Sequence, residues 1–202
     1  MKYFVTGIDT DSGKTLVSAI LCEALQADYW KPVQAGLPRD TDTVQSLVTN
    51  NVTKFHAEAY LLNTPASPHM SARIDGVKID KTKFVIPATS RPLIIEGAGG
   101  CLVPLNESFF VIDLIKEFNV RVMLVADLYL GSINHTLLSV EALRSRNIQI
   151  AGIIFNGISN PDSEQVILQH TKLPCLLHID RQPTIDKSVV VRYADLIRKN
   201  LR

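Results

Sequence analysis

Lys2-Tyr3-Phe4-Val5-Thr6-Gly7-Ile8-Asp9-Thr10-Asp11-Ser12-Gly13-Lys14-Thr15 opens on a short apolar, β-rich run that breaks at Gly7. A glycine-bounded loop follows, and then Leu16, Val17, Ile20, Leu21, Ala24 and Leu25 recur at the spacing of one helical face. Strand, loop ending in Gly-Lys-Thr, helix is the order a phosphate-binding P-loop requires. Such a loop turns backbone N–H groups toward a polyphosphate, which favours residues such as Gly13 that tolerate unusual backbone angles. The helix start adds free N–H groups and the positive end of its dipole. Lys14 supplies a full charge toward the β- and γ-phosphates, and the Thr15 hydroxyl can ligate Mg²⁺. One feature departs from the common pattern: five residues separate Gly7 from Gly13, and at the usual spacing of four the first position is Ile8. The competing reading is a plain βα turn with a solvated lysine. Agreement of strand, loop and helix favours the P-loop.

Outward from this motif, strand-like and helix-like segments alternate. Tyr29-Trp30-Lys31 is a strand stopped by Pro32, and a helix is expected from about Thr41 to Thr49. Pro92 to Glu96 is a buried-strand pattern. Phe110 to Phe118 is helical, with Val111, Leu114, Ile115 and Phe118 on one face. Arg121 to Asp127 is the strongest strand; Ile133 to Arg146 is a helix and Gln149 to Asn156 another strand. Asp162 to His170, Cys175 to Leu177 and Ser188 to Leu201 complete the series as helix, strand and helix. Near-continuous apolar strands interleaved with helices imply an α/β three-layer sandwich around a mostly parallel sheet, of the P-loop nucleoside triphosphate hydrolase type. Residues 1–202 are read as a single domain, and Lys54 to Arg91, broken by Pro65, Pro68, Gly76 and Pro87, as a loop excursion over the active face.

Composition narrows the function classes. Apolar content is 46%, charged content 20% and formal net charge +1, with no long run of either sign. That gives no electrostatic case for nucleic acid or a membrane surface. Cys22, Cys101 and Cys175 show neither disulfide-framework nor zinc-site spacing, and Cys22 is expected in the core. No histidine pair has metal spacing, and neither a signal peptide nor an apolar run of membrane-spanning length is found. A reducing cytoplasm is the expected compartment.

In a parallel sheet of this kind, ligands bind beyond the carboxyl ends of the strands. The polar residues there are the Gly7–Thr15 loop, Lys31, Glu96 with Gly97-Ala98-Gly99-Gly100, Asp127 and Asn156. Glu96 can approach Mg²⁺ directly or through water, and Asp127 competes for that role from a neighbouring strand. Lys31, kept extended by Pro32, is either a rim charge or a cation for an anionic intermediate. Asp40 and Asp42, at a helix start, read locally as caps.

Five motifs in order carry a further signal. They are Thr6 to Thr15, Lys31-Pro32-Val33-Gln34-Ala35-Gly36, Thr64-Pro65-Ala66-Ser67-Pro68-His69, Glu96-Gly97-Ala98-Gly99-Gly100 and Leu130-Gly131-Ser132-Ile133-Asn134-His135. Together they resemble the dethiobiotin synthetase family over residues 2 to about 156, and the longer P-loop fits that family. The resemblance implies an ATP- and Mg²⁺-dependent ligase of biotin biosynthesis. It would form the ureido ring of dethiobiotin from 7,8-diaminononanoate and CO₂ or bicarbonate, through a carbamate and a carbamic-phosphoric anhydride. It implies Lys14 on the β- and γ-phosphates, Lys31 on the carbamate, and Thr10 and Asp11 along the phosphate and substrate side. Asp11, Ser12, Gly13, Lys14, Thr15, Leu16, Asp42, Glu96, Gly97, Ala98 and Gly99 would surround the nucleotide, and Asn156 would read its base. Thr15, Asp42 and Glu96 would hold Mg²⁺. The family is a homodimer with the substrate site completed at the interface. Lys31, Ala35, Gly131, Ser132, Ile133 and Asn134 would contact substrate, the last four as a helix N-terminus suited to its carboxylate. Ala35 stands where many relatives have serine, and Asp11 where many have glutamate; both read as tuning.

Such chemistry needs positioning and charge neutralisation, not a nucleophilic side chain, so the lack of a Ser-His-Asp or reactive-Cys arrangement is expected. Two other classes compete. A nucleotide-switch ATPase of the partitioning or cell-division type usually carries a lysine just after the first glycine, where this chain has Ile8. A silent nucleotide-binding module is disfavoured by Lys14, Thr15, Lys31 and Glu96. Base selectivity is left open by the short C-terminal segment.

Overall fold

The computed structural model describes residues 1–201. In chain order the elements are β1 (Lys2–Gly7), α1 (Lys14–Leu25), β2 (Asp28–Trp30), β3 (Val33–Ala35), α2 (Asp40–Leu47), β4 (Phe55–His56), β5 (Tyr60–Leu62) and α3 (Pro68–Ile74). They continue with β6 (Leu93–Gly100), α4 (Val111–Phe118), β7 (Arg121–Asp127), α5 (Ser132–Arg144), β8 (Ile150–Asn156), α6 (Pro161–Thr171), β9 (Cys175–Ile179) and α7 (Lys187–Ile197). Seven strands form one sheet in the order β4-β2-β6-β1-β7-β8-β9, and every pairing is parallel. The expected parallel α/β sandwich is therefore present. The chain leaves β1 toward β2 on one side and crosses from β6 to β7 on the other, so the order reverses at β1 and opens a crevice beyond its carboxyl end.

Alternation along the strands builds the three layers. Tyr3, Val5, Ile94, Met123, Val125 and Ile154 face Ile20 of α1, Leu47 of α2 and Ile197 of α7. Phe4, Leu93, Ile95, Val122 and Leu124 point to the opposite face, against Ile112 and Ile115 of α4 and Val140 and Leu143 of α5. With both faces covered, the strands need no polar side, which is why they read as continuous apolar runs.

Helix α1 is more central than a one-faced pattern suggests. Ten of its twelve residues are buried, because α2 and α7 pack on the side turned away from the sheet. Among them is Glu23, whose carboxylate accepts from Thr49 N (2.7 Å), Thr49 Oγ1 (2.9 Å) and Asn50 N (3.1 Å). Burial alone would push its pKa up, but these donors outweigh it and hold the carboxyl below its ordinary range. Glu23 thus ties the chain leaving α2 to α1. Cys22 is fully buried, as expected.

Three segments differ from the sequence reading, the first being β6, which runs on to Gly100 where the apolar pattern ends at Glu96. Lys54 to Arg91 is not a structureless excursion: β4 extends the edge of the main sheet, β5 pairs with β3 in a separate two-stranded sheet, and α3 starts on Pro68. Its aromatic anchors are single residues, with Tyr60 against Phe84 (5.5 Å between ring centroids) and Phe84 against Phe109 (6.3 Å). Strands of two and three residues show no period, so the sequence pattern does not expose them. Helix α7 stops at Ile197 instead of reaching Leu201, and Arg198 then donates to the Ala24 and Glu23 carbonyls (2.9 and 3.0 Å), fastening the chain to the end of α1.

Because α1 carries the phosphate loop at its N-terminus, its packing sets the rigidity of the site. Ile20→Ala removes a fully buried side chain from the middle of α1. It is expected to lower unfolding stability by about 2–5 kcal/mol in a urea titration. A loss below about 0.5 kcal/mol would contradict this placement of α1.

Candidate nucleotide and substrate site

The loop between β1 and α1 folds as sterics at two glycines dictate. A Cβ on Gly7 would lie 2.0 Å from Ser12 Oγ, so the loop closes on itself only with glycine there. Gly13 sits at φ +94° as the N-cap of α1, and a Cβ would fall 2.3 Å from the Asn156 amide nitrogen. Asn156, at the end of β8, donates Nδ2 to the Ser12 carbonyl at 3.0 Å. The residue expected at the base therefore also braces the phosphate loop, with Oδ1 left to accept from another group. Lys14 curls back and donates Nζ to the carbonyls of Asp9 (2.9 Å) and Thr10 (2.7 Å). Burial, and then the nearby Lys31 charge, lower its pKa to about 8.

A second centre lies beside the loop. In the β2–β6 pairing Tyr29 is opposite Ile94 and Trp30 opposite Ile95, so the next step along each strand brings Lys31 next to Glu96. Lys31 Nζ is 3.2 Å from Glu96 Oε1 and 2.8 Å from Asp40 Oδ2, and it donates to the Gly97 carbonyl at 3.3 Å. Burial would lower the Lys31 pKa, but Glu96 and Asp40 outweigh it and keep the ammonium above the ordinary lysine range. Thr15 Oγ1 donates to the same Glu96 Oε1 (3.0 Å), and Tyr29 Oη donates to Oε2 (3.0 Å). Of the two readings open for Lys31, a rim charge does not fit: it is 4% exposed.

Both centres open on one cleft of about 700 Å³. Its walls include Thr10, Asp11, Gly13, Lys14 and Thr15 on one side, and Lys31, Ala35 and Asp40 on another. Glu96, Ala98, Gly99 and Pro65 to Pro68 line it as well, so part of the proline-rich segment reaches this cleft. Other expected residues stand elsewhere. Ser12 is buried inside the loop, and the Leu16 side chain joins the core, leaving its backbone at the helix start. Gly97 is a packing glycine, since a Cβ would meet Phe4 at 2.7 Å. Asp42 does not join Thr15 and Glu96: it forks with Arg39 on the outer side of α2, with Arg39 Nε at 2.9 Å. Two residues along a helix differ by about 200°, so only one of Asp40 and Asp42 can face inward, and it is Asp40. Gly131, Ser132, Ile133 and Asn134 begin α5 as expected, but they do not line this cleft; nor does Asp127.

Gln34 is a site residue the sequence reading did not single out. Its Nε2 donates to the Gly36 carbonyl (2.9 Å) and its Oε1 accepts from Asp40 N (3.0 Å). The clamp fixes the entry of α2 and hence the reach of Asp40. Gln34 is followed by Gly36 at φ +87°, and that pairing of a buried amide with a tight turn is the only local signal of it.

The fold and the cleft define a P-loop nucleotide-binding α/β protein. A family described as AAA domain matches residues 1–189. Solved structures with the same fold include a ParA family ATPase from Chlorobium tepidum (TM-score 0.58, 12% identity, covering 99% of this chain and 96% of that one). The septum site-determining protein MinD of Pyrococcus horikoshii, solved with Mg-ADP, is as similar (TM-score 0.58, 11% identity, 100% and 96% covered). At such identities the likeness concerns the fold alone. Sequence relatives are much nearer. The ATP-dependent dethiobiotin synthetase of Cytophaga hutchinsonii is 54% identical over 195 residues, covering 96% of this chain and 95% of its own. The synthetase of Christiangramia forsetii is 49% identical over 202 residues, covering 99% and 97%. The chain belongs to the ATP-dependent dethiobiotin synthetase family.

Gly13→Ala combines a positive φ with a Cβ pressed on Asn156. It is expected to weaken ADP binding at least roughly tenfold by calorimetry while the fold survives. Unchanged affinity would mean that the loop does not hold phosphate in this conformation.

Proposed function

We propose that this chain is an ATP-dependent cyclo-ligase that forms the ureido ring of dethiobiotin from 7,8-diaminononanoate, CO₂ and ATP. One observation carries the reading beyond nucleotide binding: the buried Lys31 ammonium, held between Glu96 and Asp40, shares one cleft with the phosphate loop. An amine of the substrate adds to CO₂ and loses a proton, giving a carbamate. A carbamate oxygen then attacks the γ-phosphorus and ADP leaves. The second amine attacks the carbonyl carbon of the mixed anhydride and loses a proton, and phosphate departs with closure of the ring. The carbamate and the γ-phosphate are both anions and must approach each other, so cations on both sides lower the barrier. Lys31 neutralises the carbamate side, and Lys14, turned from its loop carbonyls, the phosphate side. Thr10 and Asp11 line the path between them, with Ala35 on the substrate wall.

The oxygen donors Thr15 Oγ1 and Glu96 suit a hard cation such as Mg²⁺. Among the described residues no group of three or more His, Cys, Asp or Glu is arranged to hold a metal. We assign the carboxylate from α2 in this set to Asp40, in place of Asp42, because it shares Lys31 with Glu96. Bound there, Mg²⁺ would screen the phosphate charges. Asn156 Oδ1 remains the candidate for reading the base.

The N-terminus of α5 at Gly131 to Asn134 lies off the cleft, beside fully exposed Leu130. The reading is a homodimer in which this helix start meets the substrate carboxylate across the interface. Among the described residues no helix is long and apolar enough to cross a membrane. The free thiols Cys22, Cys101 and Cys175 support the reading of a reducing cytoplasm.

The test is phosphate release from ATP with Mg²⁺ and bicarbonate, with and without 7,8-diaminononanoate. Release that requires the diamine and yields a product of dethiobiotin mass is expected. Release indifferent to it would favour a nucleotide-switch ATPase. Lys31→Met should lower turnover by about 10²–10³-fold with ADP affinity retained; near-normal turnover would remove Lys31 from the chemistry.

A further inference from the structure

Glu96 is a carboxylate in the core, and the question its surroundings pose is what fixes its orientation. It is 1% exposed, and its two oxygens have different partners. Oε1 faces the cleft side and takes Thr15 Oγ1 at 3.0 Å and Lys31 Nζ at 3.2 Å. Oε2 has one partner among the described residues, the hydroxyl of Tyr29 at 3.0 Å. Tyr29 is itself fully buried, and its ring packs on Phe55 with 6.0 Å between centroids. A phenylalanine would fill that ring position without bringing a hydroxyl into the core. A buried hydroxyl is tolerated only when it is bonded, and here its whole hydrogen-bonding value goes to one oxygen of one carboxylate.

We infer that Tyr29 is a positioning residue for the metal site: its hydroxyl pins Glu96 Oε2 so that Oε1 stays turned toward Thr15 and the cleft. The inference rests on the proposed role of Glu96 toward Mg²⁺. The geometry fixes the direction of the bond, since an ionised carboxylate only accepts and the phenol must donate. Partners that orient a metal-binding group from behind commonly matter 10–100-fold in metal affinity. Tyr29 achieves this from β2, on the same face of the strand as Lys31 two residues on.

The test measures ADP affinity by calorimetry with and without Mg²⁺, the ratio of the two being the metal enhancement. Tyr29→Phe keeps the ring and removes only the donor. It is expected to lower the enhancement about tenfold while metal-free ADP affinity, which reports an intact phosphate loop, stays unchanged. Phe55→Leu loosens the ring packing without touching the hydroxyl and should leave the enhancement as in the parent. Loss of enhancement in Phe55→Leu as severe as in Tyr29→Phe would mean that packing, not the hydrogen bond, is responsible. Glu96→Gln separates this inference from the reading beneath it. Enhancement lost in Glu96→Gln but kept in Tyr29→Phe would overturn the role of Tyr29 alone. Enhancement kept in Glu96→Gln would overturn the metal role of Glu96, and the inference with it.

Discussion

A buried carboxylate beside a buried ammonium organises this molecule. Glu96 and Lys31 meet because β2 and β6 pair in one register, and a slip of either strand by one residue would leave the two side chains on opposite faces of the sheet. Two charges taken out of water are costly unless every remaining donor and acceptor is engaged. Here the set closes: Thr15 and Tyr29 complete Glu96, while Asp40 and the Gly97 carbonyl complete Lys31. The cluster therefore ties together the starts of α1 and α2, the end of β2 and the middle of β6.

The phosphate loop depends on the same arrangement. Thr15 is one residue beyond Lys14, so the bond that orients Glu96 also fixes the first turn of α1. From the other side, Asn156 holds the Ser12 carbonyl and leaves no room for a side chain at Gly13. The loop is thus braced by β6 and β8, the strands that flank the β1–β7 pair. Braced in this way, the loop backbone is held ready for a polyphosphate, while Lys14 has to turn from the Asp9 and Thr10 carbonyls to meet it.

Much of this was legible in the chain itself. The β1–loop–α1 unit announces itself through Gly7, Gly13, Lys14 and Thr15, and β6, β7 and β8 through long apolar runs. Glu96 and Lys31 were visible as polar residues ending apolar strands. What stayed hidden depends on contacts between distant segments. Asp40 and Asp42 are equivalent as helix starters, and only the rotation of α2, set by the Gln34 clamp, decides which one faces Lys31. Tyr29 looks like an ordinary core aromatic until β2 is laid beside β6, more than sixty residues on. The aromatic anchors between Lys54 and Arg91 are scattered singly among prolines, and they cohere only once Phe84 packs on Phe109. The start of α5 was legible as a helix terminus, but its distance from the cleft follows from tertiary packing alone.

The proposed role of Lys31 is to hold an anionic carbamate beside the phosphate loop. Carbon-13 NMR of the protein with labelled bicarbonate and 7,8-diaminononanoate addresses it most directly. A bound carbamate resonance is expected with the parent protein and should vanish in Lys31→Met while ADP still binds. A carbamate signal of equal strength in that variant would remove Lys31 from this role.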